Sequence, residues 1–175
     1  MSATAASVPA SFLTPARAAV GVAVVAVAAI LGALFIQYVL GVLPCELCLK
    51  QRIPYYTGIP LALAAALLAA RSPRGRVTVT LLLLVALVFA AGAVLGIYHT
   101  GVEYGAWQGP TDCTGPVGAA VGMNDFLKSL ETVKVVRCDE VAMRIFGLSL
   151  AAWNALLALG MTALALAGAR AAARA

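Results

Sequence analysis

The chain has 175 residues, of which 63% are hydrophobic and 11% charged. Soluble domains carry about a quarter charged residues, so this composition excludes an ordinary water-soluble fold and places the chain among integral membrane proteins. The net charge of +5 does not argue for nucleic acid, because the basic residues form no patch and instead fall between apolar runs, where they set topology.

Residues 1–16 are small and polar, include Pro9 and Pro15, and read as a short disordered tail. Arg17 precedes a first span over approximately 18–40, long enough to cross a bilayer. That run exceeds a signal-peptide core, and further apolar segments follow it. The second span, 53–70, contains Pro54, Gly58 and Pro60. Because Pro54 clashes with the carbonyl of Lys50, the helix must start after Arg52 or kink there. Arg71, Arg74 and Arg76, with Pro73 and Gly75, form a tight basic turn before the third span, 77–98. A longer and more polar segment, 99–146, leads to the fourth span, 147–169, which is followed by Arg170 and Arg174. Within that segment Asn124 can cap a short amphipathic helix running to Glu131, with Phe126, Leu127 and Leu130 on one side.

Arg17, Arg71, Arg74, Arg76, Arg170 and Arg174 all fall on one side of the spans, and all seven acidic residues on the other. By the positive-inside rule the termini and the arginine turn are cytoplasmic, and the loops 41–52 and 99–146 are periplasmic. Runs such as Ala64-Ala65-Ala66 and Ala90-Ala91-Gly92-Ala93 permit close backbone approach in lipid. The expected fold is an all-α integral membrane protein, one domain over 1–175. It is a four-transmembrane-helix bundle whose long periplasmic loop carries a short amphipathic helix.

The chemistry sits in the outward loops. Cys45 and Cys48 have C-x-x-C spacing, and Arg52 follows four residues after Cys48, on the same face if the segment is one helix. A nearby cation favours the thiolate, the form that exchanges disulfides. Cys113 and Cys138 lie far downstream, and four cysteines allow three pairings. No histidine follows Cys48 directly, which disfavours haem. Zinc would want four close ligands, which the wide spacing of Cys113 and Cys138 disfavours, so no metal is expected. Cysteines that merely staple outward loops are the non-enzymatic alternative.

Taken in order, Gln37, Pro44-Cys45-Glu46-Leu47-Cys48, Arg52, His99-Thr100, Cys113, Cys138-Asp139-Glu140, Phe146-Gly147-Leu148 and Trp153 resemble the DsbB family of bacterial disulfide-bond formation proteins. The resemblance implies an inner-membrane protein-dithiol:quinone oxidoreductase that reoxidises a periplasmic thioredoxin-fold partner of the DsbA type. No haem, flavin or iron–sulfur motif is present to take the electrons. A membrane quinone is therefore the expected cofactor, with ubiquinone favoured over menaquinone. Cys45, Cys48, Cys113, Cys138 and Arg52 are the expected catalytic residues. Cys48, Arg52, His99 and Gln37 are the expected quinone contacts, with Arg52 stabilising first the Cys48 thiolate and then the charge on the reduced quinone. His99 could instead belong to an aromatic belt with Tyr98, Tyr104 and Trp107. Glu46 is expected to be solvated. A resting Cys113–Cys138 disulfide is expected, attacked at turn-rich Cys113 by the partner, after which Cys138 attacks Cys45 and Cys48 is freed. The resemblance implies the same order. A vitamin K epoxide reductase-like oxidoreductase is the related alternative, but that type places its loop cysteines before its C-x-x-C.

Overall fold

The computed structural model describes residues 13–110 and 137–174. Four of its helices are long and apolar enough to cross a membrane, arranged as an antiparallel bundle. Helix α1 spans Pro15–Tyr38, capped by Thr14, whose hydroxyl accepts the Arg17 N–H, with Pro15 at a position that needs no donor. A five-residue helix, α2 (Glu46–Lys50), is followed at once by α3 (Ile53–Arg71). Helix α4 is Arg76–Glu103, and α5 is Leu150–Arg174. The most extensive packing is α4 against α5. Contacts of α1 with α3, α3 with α4, and α1 with α5 close the ring.

The bundle is built from small residues inside and large ones outside. Ala18, Ala19, Val22 and Ala26 of α1, Ala62 and Ala65 of α3, and Ala158 and Ala165 of α5 are buried, while Val24, Leu31, Leu67, Leu87 and Val94 are exposed. Lipid is as apolar as leucine, so packing between helices in a bilayer comes from close approach rather than from burying leucines. The larger interior side chains, Phe89, Leu82 and Met161, fill the middle. Phe89 meets Tyr55 edge-on, with ring centroids 5.6 Å apart.

Several boundaries differ from the sequence expectation; helix α5, for one, runs past residue 169 to Arg174. Helix α1 begins at Pro15, inside the expected tail. Helix α4 runs five residues past the expected end at Tyr98, because His99 and Val102 find buried positions and extend the packed face. The fourth span starts at Leu150, not at residue 147. Residues 144–149 instead form a small hairpin in which Arg144 pairs with Ser149 and Ile145 with Leu148. Its two-residue turn, Phe146 and Gly147, has φ of 50° and 83°, the left-handed pair that a tight hairpin requires and that no helix accepts. Ser149 then caps α5, its Oγ accepting the Ala152 N–H at 3.2 Å. The expected amphipathic helix at 124–131 lies outside the described residues.

The α4–α5 contact is tightest at Gly96, where an added Cβ would lie 2.9 Å from the Ala155 backbone. Backbone cannot yield as a flexible side chain can, so Gly96→Ala should destabilise the bundle by about 1–3 kcal/mol. Gly160→Ala, at a position with open space around it, should be neutral. Thermal unfolding in detergent compares the two. Equal melting of Gly96→Ala and the parent would mean that the helices can separate there at no cost.

Candidate functional site

The site forms where the ladder of α2 cannot continue into α3. Pro54 has no N–H for the Lys50 carbonyl, and the chain instead turns through Gln51 and Arg52, whose N–H groups bond Leu47 O and Leu49 O. Arg52 becomes the N-cap of α3, with Pro54 in its first turn. Cys48 and Arg52 therefore do not share one continuous helical face, as the i,i+4 spacing had suggested. Both nevertheless line the same cavity.

Cys45 caps α2, its Sγ accepting the Cys48 N–H at 3.2 Å. Both thiols are free, and their sulfurs share a hydrogen bond of 2.8 Å. His99 Nε2 lies 3.6 Å from Cys45 Sγ. The Cys48 sulfur, the imidazole and a backbone N–H therefore surround Cys45 Sγ. The Cys48 side chain first, then His99 and the Cys48 N–H, outweigh burial and bring the Cys45 thiol down to about 5. The two sulfurs and His99 lie within 4.8 Å of one another.

Arg52, expected beside the Cys48 thiolate, donates from Nη1 to Gln37 Oε1 at 2.7 Å. Gln37 is thus a tether between α1 and the start of α3, and it is not among the residues lining the cavity. His99 is only 2% exposed and does not join the aromatic belt, where Tyr98 and Trp107 stack on each other. Glu46 pairs with Lys50 on the surface of α2, at 2.7 Å. Cys138 is disulfide-bonded and fully buried, in one apolar cluster with Cys45, Leu47 and Val102. Cys113 lies outside the described residues.

Two cavities meet at the cysteine pair. The larger, about 240 Å³, lies between α1, the α2–α3 junction, α4 and α5. Ile30, Ala33, Ile36 and Leu157 make it apolar, and Cys48, Gln51, Arg52, His99 and Asn154 form its polar end. The smaller, about 20 Å³, lies on the other side, between both cysteines, His99, Glu103, Arg137 and Glu140. Cys48 borders both cavities, whereas Cys45 borders only the smaller one.

Comparison with known proteins agrees with this geometry. The family described as disulfide bond formation protein DsbB matches residues 15–168. The chain belongs to the DsbB family. A Rickettsia prowazekii (strain Madrid E) protein, Uncharacterized protein RP370, is 25% identical over 123 residues, covering 69% of this chain and 68% of that one. No solved structure matches significantly. As a DsbB-family chain with four spanning helices, the molecule is a multi-pass membrane oxidoreductase acting on thiols.

Four polar residues of this DsbB-family site were not singled out from sequence. Gln51 Nε2 bonds His99 Nδ1 at 2.7 Å, and Asn154 Nδ2 donates to Gln51 Oε1 at 2.7 Å. The Tyr55 hydroxyl donates to Asn154 Oδ1 at 2.6 Å. Glu103 takes a hydrogen bond from Ser149, while its Oε2 is buried with no partner among the described residues. The signal was present in Asn154, an amide in the second turn of a lipid-spanning helix, where polar groups are expensive and usually functional.

In the reduced protein, Cys45 alkylation should follow a midpoint near pH 5, because its thiol stands at about 5. Cys48→Ala should raise that midpoint most and His99→Ala next, following the rank of their effects on Cys45. Mass-resolved alkylation across pH tests this. A Cys45 midpoint in the ordinary thiol range would mean that the charge does not reside there.

Proposed function

We propose that this chain reoxidises a soluble DsbA-type dithiol protein outside the cytoplasm and passes the electrons to a membrane quinone. The observation that carries this reading is the two-sided placement of the cysteine pair. Cys45 packs beside disulfide-bonded Cys138, and Cys48 opens onto an apolar cavity among spanning helices. Free Cys45 and Cys48 together with an oxidised Cys138 correspond to the stage at which the outer pair has been restored and the inner pair holds the electrons.

The exchange steps balance without a further reactant. A partner thiolate attacks Cys113 of a Cys113–Cys138 disulfide, and Cys138 leaves as thiolate. Cys138 attacks Cys45 of the Cys45–Cys48 disulfide, and Cys48 leaves. The partner's second thiolate then closes its own disulfide and releases Cys113, which attacks Cys138 and releases Cys45. The net change is one dithiol oxidised in the partner and one disulfide reduced between Cys45 and Cys48.

Reclosing that pair yields two electrons and one proton, which a quinone in the larger cavity would take up together with a second proton from solvent as it becomes a quinol. The residues present fit such a group. The apolar walls suit a ring and its isoprenoid tail, and the cavity of about 240 Å³ gives room for a quinone ring. Arg52, tethered by Gln37, supplies positive charge for the reduced oxygen. His99 and Cys48 border the same polar end. Cys45 supplies the second sulfur of the reclosed bond, and Cys48, which borders the cavity, is the sulfur through which the electron pair would pass to a quinone.

The decisive experiment mixes purified protein anaerobically with a reduced DsbA-like protein and follows quinone absorbance. Cys48→Ala should abolish quinone reduction, and Arg52→Met should slow it by about tenfold or more while sparing thiol exchange with the partner. Quinone reduction at the parent rate in Arg52→Met would reduce Arg52 to an anchor. No quinone reduction by the parent protein would overturn the reading.

Topology is part of the proposal: an inner-membrane protein with cytoplasmic termini and periplasmic cysteines. Arg17, Arg71, Arg76 and Arg174 mark the helix ends opposite the cysteines. A reporter active only outside the cytoplasm should work when fused after Leu43 and fail when fused after Arg74. The opposite pattern would place the cysteines in the reducing compartment and sink the oxidase reading.

A further inference from the structure

The bonds reaching inward from Cys45 form one continuous line through the bundle. It runs from the Tyr55 hydroxyl in α3 to Asn154 in α5, to Gln51 at the α2–α3 junction, to His99 in α4, and ends at Cys45 Sγ. Tyr55, Gln51 and His99 are all buried. We propose that Tyr55, Asn154 and Gln51 are positioning residues whose hydrogen-bond polarity fixes the tautomer of His99, so that its Nε2–H faces Cys45.

The direction follows from what each group can do. An amide accepts only at oxygen and donates only at nitrogen. Tyr55 donates to Asn154 Oδ1, so the Asn154 nitrogen is the end that meets Gln51, and it donates to Oε1. That leaves Gln51 Nε2 facing the imidazole. A donor at Nδ1 needs a lone pair there, and a neutral imidazole with its lone pair on Nδ1 carries its proton on Nε2. Nε2 is the atom turned toward Cys45 Sγ, at 3.6 Å. Were both amides reversed, Gln51 would present its oxygen, Nδ1 would hold the proton, and a lone pair would face the sulfur. The anion on Cys45 would then lose a donor. The polarity held along the chain thus sets which imidazole nitrogen faces the thiol.

Simple helix-to-helix adhesion would also explain polar residues here, but it requires no particular polarity. The inference rests on Cys45 as the redox thiol proposed above, and its test is separable from turnover. His99 is the single histidine of the chain, so 15N-histidine labelling of the full-length reduced protein in nanodiscs reports one imidazole. At alkaline pH the parent should show Nε2 protonated and Nδ1 bare. Asn154→Asp replaces the donor facing Gln51 by an acceptor. Gln51 must then turn its nitrogen to Asp and its oxygen to His99, and the Nδ1–H form should predominate. Tyr55→Phe keeps the shape, removes the donor that holds Asn154 Oδ1 in place, and should give a mixture of the two forms.

The second readout is the pH profile of Cys45 alkylation. The groups facing Cys45 are Cys48 from α2, His99 and Glu103 from α4, and Arg137, Cys138 and Glu140 from the segment before the hairpin. All are unchanged in Tyr55→Phe, so an upward shift of its profile reports the chain. At a fixed pH below the midpoint, alkylation falls about tenfold for each unit of rise. A parent spectrum with Nδ1 protonated would overturn the proposal. So would an unaltered tautomer in both variants, whether or not quinone reduction persists. Loss of turnover with the tautomer as expected would instead fault the oxidase reading.

Discussion

Pro54 is the constraint from which the site follows. Without its N–H, the ladder that begins at Cys45 must stop near Lys50 and restart at Ile53. The interruption detaches a five-residue helix bearing both cysteines from a spanning helix that lies in lipid. It also turns two consecutive polar side chains in different directions: Gln51 into the bundle toward His99 and Asn154, and Arg52 toward Gln37 on α1. A continuous helix would have placed Gln51 and Arg52 about 100° apart on one cylinder. The break gives each its own neighbour, so that one organises a thiolate and the other a cation at the mouth of an apolar cavity.

The fold was largely legible because lipid imposes simple rules. Four apolar runs, arginines on one side and small residues inside were enough to specify the bundle, and Pro54 correctly marked the start of α3. The errors lay where local chemistry overrode hydropathy. His99 was assigned to a loop because polar residues follow Tyr98, yet the helix continues to Glu103, carried by the burial of His99 and Val102. Residues 147–149 read as the start of a span because they precede an apolar run, but Phe146 and Gly147 adopt left-handed conformations that close a hairpin first.

The site was legible only in its cysteines. Spacing identifies a C-x-x-C pair but cannot say which sulfur carries the charge. Arg52 was the visible cation, and so Cys48 was expected to be the thiolate. The thiol brought down, to about 5, is instead that of Cys45, which has the Cys48 sulfur, the Cys48 N–H and His99 around it, while the Arg52 guanidinium faces Gln37. One of those neighbours is separated from Cys45 by 54 positions. Asn154 is separated from Gln51 by 103. No local pattern reports such a pairing; it exists only once α4 and α5 have packed.

Under the proposed function the two cavities give a pair, rather than a single thiol, its use. In that reading electrons enter from a protein-facing loop and leave into lipid, and one sulfur cannot face both at full contact. Cys45, enclosed with Cys138, borders only the small cavity, and Cys48 borders the large one. Opening and closing one S–S bond transfers an electron pair between these environments with little movement of backbone, because the sulfurs are already 2.8 Å apart. A charge held on Cys45 then has a definite use. In the proposed reaction it keeps the nucleophile on the sheltered side of the pair, so that bond formation would send the electrons toward Cys48 and outward into the membrane. The polar chain behind His99 supports that asymmetry from the bundle interior, where exchange of donors with bulk water is least able to blur it.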